Sequence, residues 1–580
     1  MKKRIKRRQS HLSPSLNRSA LHPVLKQIYA NREITDESQL QLGLANLEPF
    51  HLLKDIEKTV ALIYKYLVNQ QTITIVGDFD ADGATSTAVA IKSLKALGAT
   101  NINFLVPDRF KFGYGLTPEL VPELSKLGSK LVITVDNGIN SVAGVNLANA
   151  EGMEVIITDH HLASDQLPQA QAIVNPNQPE DKFPSKALSG VGVIFYVMIA
   201  LRSFLREKLW FKEKNIVQPN LAEVLDLVAL GTVADMVPLD YNNRILVDQG
   251  LKRIRANLAC PGIQSLIKIA GRDPLKLVAN DLGFSVGPRL NAAGRIDDMS
   301  IGIRCLLADN QNLANSFAKK LDNLNQTRRQ LERSMLQEAL DVLQDLRILD
   351  SNELHPSLCL YQANWHQGIV GLIASRLKER YHCPVICFAK TDDGSEFVKG
   401  SGRSIESIHI RDLLADIDAQ YPSLIHRFGG HAQAAGLTMK LENLDQFQQV
   451  FQQAMLSKQT KQNSLSVLSD GELGQQDFNL QFAQAIRFSG PWGQAFPEPV
   501  FDGEFELVDY RIVGEKHYKF QLKHPHTQQV FDAIAFNSVE NPQYQQLSPQ
   551  TKRAQIAYNL DINEFAGRTK LQLILQHFDT

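Results

Sequence analysis

The sequence predicts an α/β protein: a parallel-sheet domain, a long helix, a second α/β domain and a C-terminal β-barrel. Three observations carry this. From residue 72, short β-rich runs ("TITIV", "INFLV", "LVITV", "EVIIT") alternate with stretches of helical composition such as "TSTAVAIKSLKALG", as in βαβ units whose sheet is buried on both faces. Residues 310–345 hold neither glycine nor proline and keep apolar residues at helical spacing. Beyond residue 472, "FDGEFELVDYRIV", "HYKFQLKH" and "AQIAYNLDINEF" alternate at strand period. At 580 residues the chain exceeds one core and divides into three or four domains.

Taken in order, residues 1–45 form a basic arm, opening "MKKRIKRRQS" with six basic residues among the first eight. No apolar segment follows, so this is not a secretory signal; a solvated tail and an arm drawn to phosphates both fit. Residues 46–309 hold the first domain, in which four runs lead to Asp78, Asp108, Asp136 and Asp159. In parallel sheets the ligand sits beyond the carboxyl ends of the strands, and four aspartates delivered there point to a site. The helix at 310–345 is long enough to connect domains. A second α/β region spans 346–460, and "LSKQTKQNSLSVLSDGE" (456–472) reads as a linker into a β-domain at 466–580. Phe496 and Phe501 are read as core of that domain.

Composition narrows the classes. Hydrophobic residues at 44% and charged residues at 21% are ordinary for a globular chain, and no apolar stretch reaches the ~20 residues of a membrane span. The net charge of −1 does not announce a nucleic-acid partner. Five cysteines, an odd number, argue for a reducing compartment, hence a cytoplasmic protein. Cys383 and Cys387 lack a second pair to complete a zinc site and read as small buried strand residues.

"GDFDADG" places Asp78, Asp80 and Asp82 at alternate positions. An EF-hand fails, because its loop needs a glutamate at position twelve where this chain has Val89, and a helix where this chain has a strand. No Gly-Lys-Ser/Thr follows, so a phosphate-binding P-loop fails as well. Three carboxylates so close repel one another unless a cation sits among them. Further strand ends supply Asp136 ("TVDNG"), Asp159, His160 and His161 ("TDHH") and Asp235 ("GTVADMVPL"). Several carboxylates with one or two imidazoles suit Mn²⁺ or Mg²⁺ and exclude a structural zinc site.

In this order "GDFDADG", "VDNG", "TDHH" and "GTVADMVPL" resemble the four motifs of the DHH phosphoesterase superfamily. "PDRFKFGYGL", "GPRLNAAGR", "NWHQGIVG", "GSGRSI", "FGGHAQAAGL" and "GPWGQAFPEPVFDG" extend the resemblance to its bacterial single-stranded-DNA exonucleases, from about residue 20 onward. Departures are Asn364, where a glycine often stands, and Ser189 and Val191 in a glycine-alanine-glycine-like stretch. The resemblance implies a DHH domain at 46–309, a DHHA1 domain at 346–460 and an OB-like domain at 466–580.

It also implies two ions, Mn²⁺ or Mg²⁺, on Asp80, Asp82, Asp136, His160 and Asp235, with Asp78 at or just behind them. Asp136 would bridge the ions, Asp159 would orient the histidines, and His161 would face the scissile phosphate. Arg109, Arg289, Arg295, Ser401 and Arg403, with Gly429, Gly430 and His431, would meet the strand. The implied activity is 5′→3′ hydrolysis of single-stranded DNA to nucleoside 5′-monophosphates in recombination and repair. The implied setting is a monomer off the membrane, partnered by single-strand-binding protein and a RecQ-type helicase. The rivals are a small phosphodiesterase for oligoribonucleotides or cyclic dinucleotides, a manganese pyrophosphatase, and a non-catalytic DNA-binding scaffold; a scaffold would not need every ligand position filled, as it is here.

Overall fold

The computed structural model describes residues 4–108, 111–345, 356–391, 396–458, 466–539, 541–545, 547, 552–565 and 567–579. The basic N-terminus is neither a solvated tail nor a free arm. Strand β1 (Arg4–Arg7) pairs in parallel with Ser466–Ser469, so the end of the expected linker is a strand too. Arg7 donates to the buried Asp502 at 2.8 Å, and Arg32 to Asp470 at 2.9 Å. Buried carboxylates are costly without such partners, so the basic segment is held by the acidic groups of the C-terminal domain.

The first domain is built on β2 (Ile73–Val76), β3 (Ile102–Leu105), β4 (Leu131–Val135), β5 (Glu154–Thr158) and β6 (Ala172–Val174), all parallel, in the order β3-β2-β4-β5-β6. Chain order reverses at the β2–β4 pair, which opens a crevice beyond their carboxyl ends. Helices α1 (Ala81–Ala96), α2 (Gly190–Glu207) and α3 (Leu225–Ala234) pack together behind that crevice. α1 and α3 are buried around most of their circumference, which explains why small and apolar residues fill them. "GTVAD" is therefore the end of a buried helix and not a strand end; Asp235 caps α3.

α4 (Gly287–Ile296) leads to the long helix α5 (Gln311–Asp345). α5 buries Ala314, Ala318 and Leu321 near its start and Met335, Ala339 and Leu343 near its end, packing first on α4 and then on α6 (Val370–Tyr381) of the second domain. That domain has a mixed sheet of β7 (Leu358–Tyr361), β8 (Val385–Lys390), β9 (Phe397–Arg403), β10 (Arg427–Gly430) and β11 (Ala434–Lys440), ordered β10-β11-β9-β8-β7. Cys383 and Cys387 are buried there with free thiols.

After β12 (Ser466–Ser469), the strands β13 (Phe501–Val513), β14 (His517–Lys523), β15 (Val530–Ala535), β16 (Arg553–Phe565) and β17 (Arg568–Asp579) close into a barrel. Phe496 and Phe501 are buried as expected. The barrel domain is welded to the first: Arg244 lies 4.4 Å over the Phe496 ring, and the Leu239 amide donates to the Gln494 carbonyl at 2.8 Å. Among the described residues, no helix is long and apolar enough to cross a membrane.

Candidate metal centre

The crevice gathers the predicted carboxylates. Asp80 N-caps α1, its Oδ1 accepting from the amides of Asp82 at 2.9 Å and Gly83 at 3.0 Å. The Ala81 amide donates to Asn291 of α4 at 2.7 Å, tying the "GPRLNAAGR" block to the start of α1. Asp82 is buried and accepts from the amides of Gly190 (2.7 Å) and Val191 (2.9 Å) at the start of α2. Burial and the Asp80 charge still lift its pKa to about 7.

Asp136 follows β4 in a left-handed backbone conformation, φ 62°, which aspartate tolerates better than most residues. A side chain on Gly190 would stand 2.6 Å from the Asp136 Oδ1, so the carboxylate fits only because that residue is glycine. His160 Nε2 lies 3.1 Å from Asp136 Oδ1 and 3.5 Å from Asp235 Oδ2. Neither His160 Nε2 nor Asp136 Oδ1, both buried, makes a hydrogen bond. Burial and the His161 charge hold His160 down to about 4, leaving a neutral imidazole with a lone pair to give. Burial and the neighbouring carboxylates push Asp136 and Asp235 well above the usual carboxylate range.

These donors form two adjacent triads, Asp78–Asp80–Asp136 and Asp82–His160–Asp235, each with ligand atoms within 4.8 Å of one another. Orphaned buried donors and mutually repelling carboxylates are what two divalent cations would relieve. Oxygen-rich triads with one imidazole fit Mn²⁺ or Mg²⁺. Asp108 belongs to none of these groups.

His161 falls within a third such group, with Asp136 and His160, but its Nδ1 is engaged by Asp159 Oδ1 at 2.7 Å. Asp159 also accepts from the His160, His161 and Ile139 amides. Burial opposes charge on both partners. The hydrogen bond and the surrounding charges outweigh it, lifting His161 to about 9 and holding Asp159 at about 2. Asn177 and Asn175 grip the backbone carbonyls of His160 (2.6 Å) and His161 (2.9 Å), and Tyr114 sets its hydroxyl 3.2 Å from the Asp136 carbonyl and 3.3 Å from His161 Nε2. Sequence reasoning missed all three. Only Tyr114 left a trace, inside "PDRFKFGYGL".

The second domain reaches the same place. His431, just after β10, stacks its ring on His161 at 6.3 Å and 18°. Arg295 of α4 donates to the Gly368 carbonyl at 3.2 Å, across the junction between domains. Arg403 of β9 donates to Ser401 Oγ (3.2 Å) and to the Gly402 carbonyl (2.8 Å), against the start of α6. Gly429 lies in open space on β10, and Gly430 (φ 142°) turns the hairpin. Arg289 departs from expectation: it is buried, pairs with Asp322 of α5 at 2.8 Å and donates to the Ser285 carbonyl, bracing the long helix. Arg109 lies outside the described residues.

Fold and site together define a phosphoesterase of the DHH class. Residues 72–232 match the DHH family N-terminal domain, 355–457 the DHHA1 domain and 469–577 the RecJ OB domain. The chain is 50% identical to the single-stranded-DNA-specific exonuclease RecJ of Salmonella typhimurium, over 96% of this chain and 95% of that one. It is 48% identical to the Escherichia coli protein of that name, over 100% and 99%. A crystal structure of RecJ with Mn²⁺ from Thermus thermophilus matches with a TM-score of 0.80 at 27% identity, covering 100% of this chain and 79% of that one. The chain belongs to the RecJ family.

Proposed function

We propose that the protein is a metal-dependent exonuclease that degrades single-stranded DNA from its 5′ end, releasing nucleoside 5′-monophosphates. The observation that supports this best is the pair of adjacent triads meeting at Asp136 and His160. Two divalent ions held there would supply hydroxide at neutral pH and stabilise the oxygens of an in-line displacement. Asp80, Asp82, Asp136, His160 and Asp235 would hold the ions, with Asp78 at or just behind them and Asp136 shared as the bridging carboxylate. His161, protonated and fixed by Asp159, faces the scissile phosphate and offsets its growing negative charge. His431 closes the site from the second domain.

In this reading, residues 46–309 carry the chemistry and 310–345 carry the second domain, 346–460, against it. The barrel domain, 466–580, takes the strand as OB-folds do. Arg295, Ser401 and Arg403, at the junction, receive the 5′ end, with Arg109 completing the set. Five free cysteines suit a reducing, cytoplasmic setting. A monomer acting in recombination and repair would be fed by a RecQ-type helicase, since a duplex must first be opened, and by single-strand-binding protein. Single strands labelled at either end test the proposal in Mn²⁺. Labelled mononucleotide should appear at once from the 5′ label and only late from the 3′ label. Early release from the 3′ label would overturn the polarity, and no release at all would overturn the activity.

A further inference from the structure

α1 and α3 pack against each other and connect two places. One end of the pair is the metal centre, where α1 begins with Asp82 in its first turn and α3 ends at Asp235. The other end lines a cavity of about 380 Å³, within the range of small-molecule sites. Ten helical residues separate Asp82 from Lys92, about 15 Å along the axis.

The cavity has a polar side and an apolar side. Lys92 and Ser93 come from α1, and Arg253 from the helix Tyr241–Arg255. Ser93 is 1% exposed, and its hydroxyl has no hydrogen-bond partner. The Arg253 Nε is likewise buried without a partner. Among the described residues, no carboxylate comes within ion-pair distance of Lys92 or Arg253. Glu223 stands exposed at the lining. Asp226, buried nearby, accepts from the Cys260 amide at 2.7 Å while its Oδ1 has no hydrogen-bond partner; burial raises its pKa and the Arg253 charge opposes the rise. Leu221, Val224 and Leu227 supply the apolar wall. Buried polar groups without partners are costly, and Asp226 and Glu223 leave both cations without a carboxylate at ion-pair distance, which leaves room for an anion.

We propose that this cavity is a second ligand site, for a phosphomonoester with an apolar or aromatic body, the class of a nucleoside monophosphate. Lys92 and the Arg253 guanidinium hold the phosphate, and the apolar wall covers the base. The inference stands on the cavity alone and does not need the exonuclease reading. Titration of the full-length, Mn²⁺-loaded protein with dAMP tests it by calorimetry. Two sites per chain are expected, and Lys92→Glu should weaken one of them at least ~10-fold. Ala96→Trp, an exposed change on the cavity's lip, should block the same site sterically. Adenosine and inorganic phosphate, each half of the ligand, should bind the Lys92-sensitive site at least ~10-fold more weakly than dAMP. Binding of dAMP that neither substitution weakens, whether at one site or at two, overturns the proposal. Phosphate binding as tightly as dAMP overturns the apolar-bodied ligand. A wild-type protein that shows no nuclease activity yet binds dAMP at the Lys92-sensitive site would strike the exonuclease reading and leave this one standing.

Discussion

Asp136 is the residue on which the site turns. It belongs to one triad and stands 3.1 Å from the imidazole of the other. Asp136→Ala or Asp80→Ala should therefore lower turnover at least ~10³-fold, about 4 kcal/mol of transition-state stabilisation. Binding of single strands should persist, because affinity comes mainly from phosphate contacts elsewhere. Steady-state turnover beside filter binding checks both, and wild-type turnover in either variant would remove that residue from the ligand set. His161 carries a pH signature. Its folded pKa of about 9 lies above the ~6.5 of an unfolded histidine. The stability it contributes is thus fully present below ~6.5 and lost as pH rises through about 9. In metal-free protein, the melting-temperature gap between wild type and His161→Gln should close between pH ~7 and ~10; a gap that ignores pH would detach that charge from Asp159. The aspartates were legible because carboxylates clustered at strand ends repel. Asn175, Asn177 and Gly190 were not, since their work is to hold backbone or leave room, which no side-chain chemistry advertises.

At the scale of elements, the junction between domains depends on close backbone approach. A side chain on Gly368 would stand 2.1 Å from the Arg295 carbonyl. Gly368→Val should push the second domain off the first and carry His431 away from His161. Misplacement on the order of 1 Å can cost ~10²-fold in rate, so turnover should fall that far while Mn²⁺ binding by the first domain is retained. Unchanged turnover would mean the two domains need not meet for catalysis. The parallel strands and the long helix could be read from the sequence because their periodicity is local. "GTVAD" misled because a helix buried nearly all round has no polar face, so its small β-branched residues imitate a strand. β1 was invisible for another reason: its partner, β12, lies more than four hundred residues away, and a run of basic residues looks solvated until the acids that pair with it are placed.

The whole molecule has a formal net charge of −1, so its overall field steers no polyanion and any grip on a strand must be local. Removing residues 466–580 would be a poor test of the barrel, because it would strip cover from the apolar surface under Trp492 and Phe496 and leave Arg244 without its ring. A patch on the barrel itself is the better target. Phe536 is 53% exposed beside the His517 ring, and Lys516 next to it is exposed, the pairing of aromatic face and cation that single strands favour. Phe536→Ala should cost about 1–3 kcal/mol in affinity for long strands if a base stacks there. Lys516→Glu should lower the slope of log affinity against log salt by ~0.7 if it meets one phosphate. Strands too short to span from the metal centre to the barrel should bind and turn over as before, since the triads and His161 are untouched. Fluorescence anisotropy across a salt series, with short and long strands side by side, separates the outcomes. Equal losses on both lengths would place the patch at the catalytic crevice, and no loss on either would move the strand to another face of the barrel.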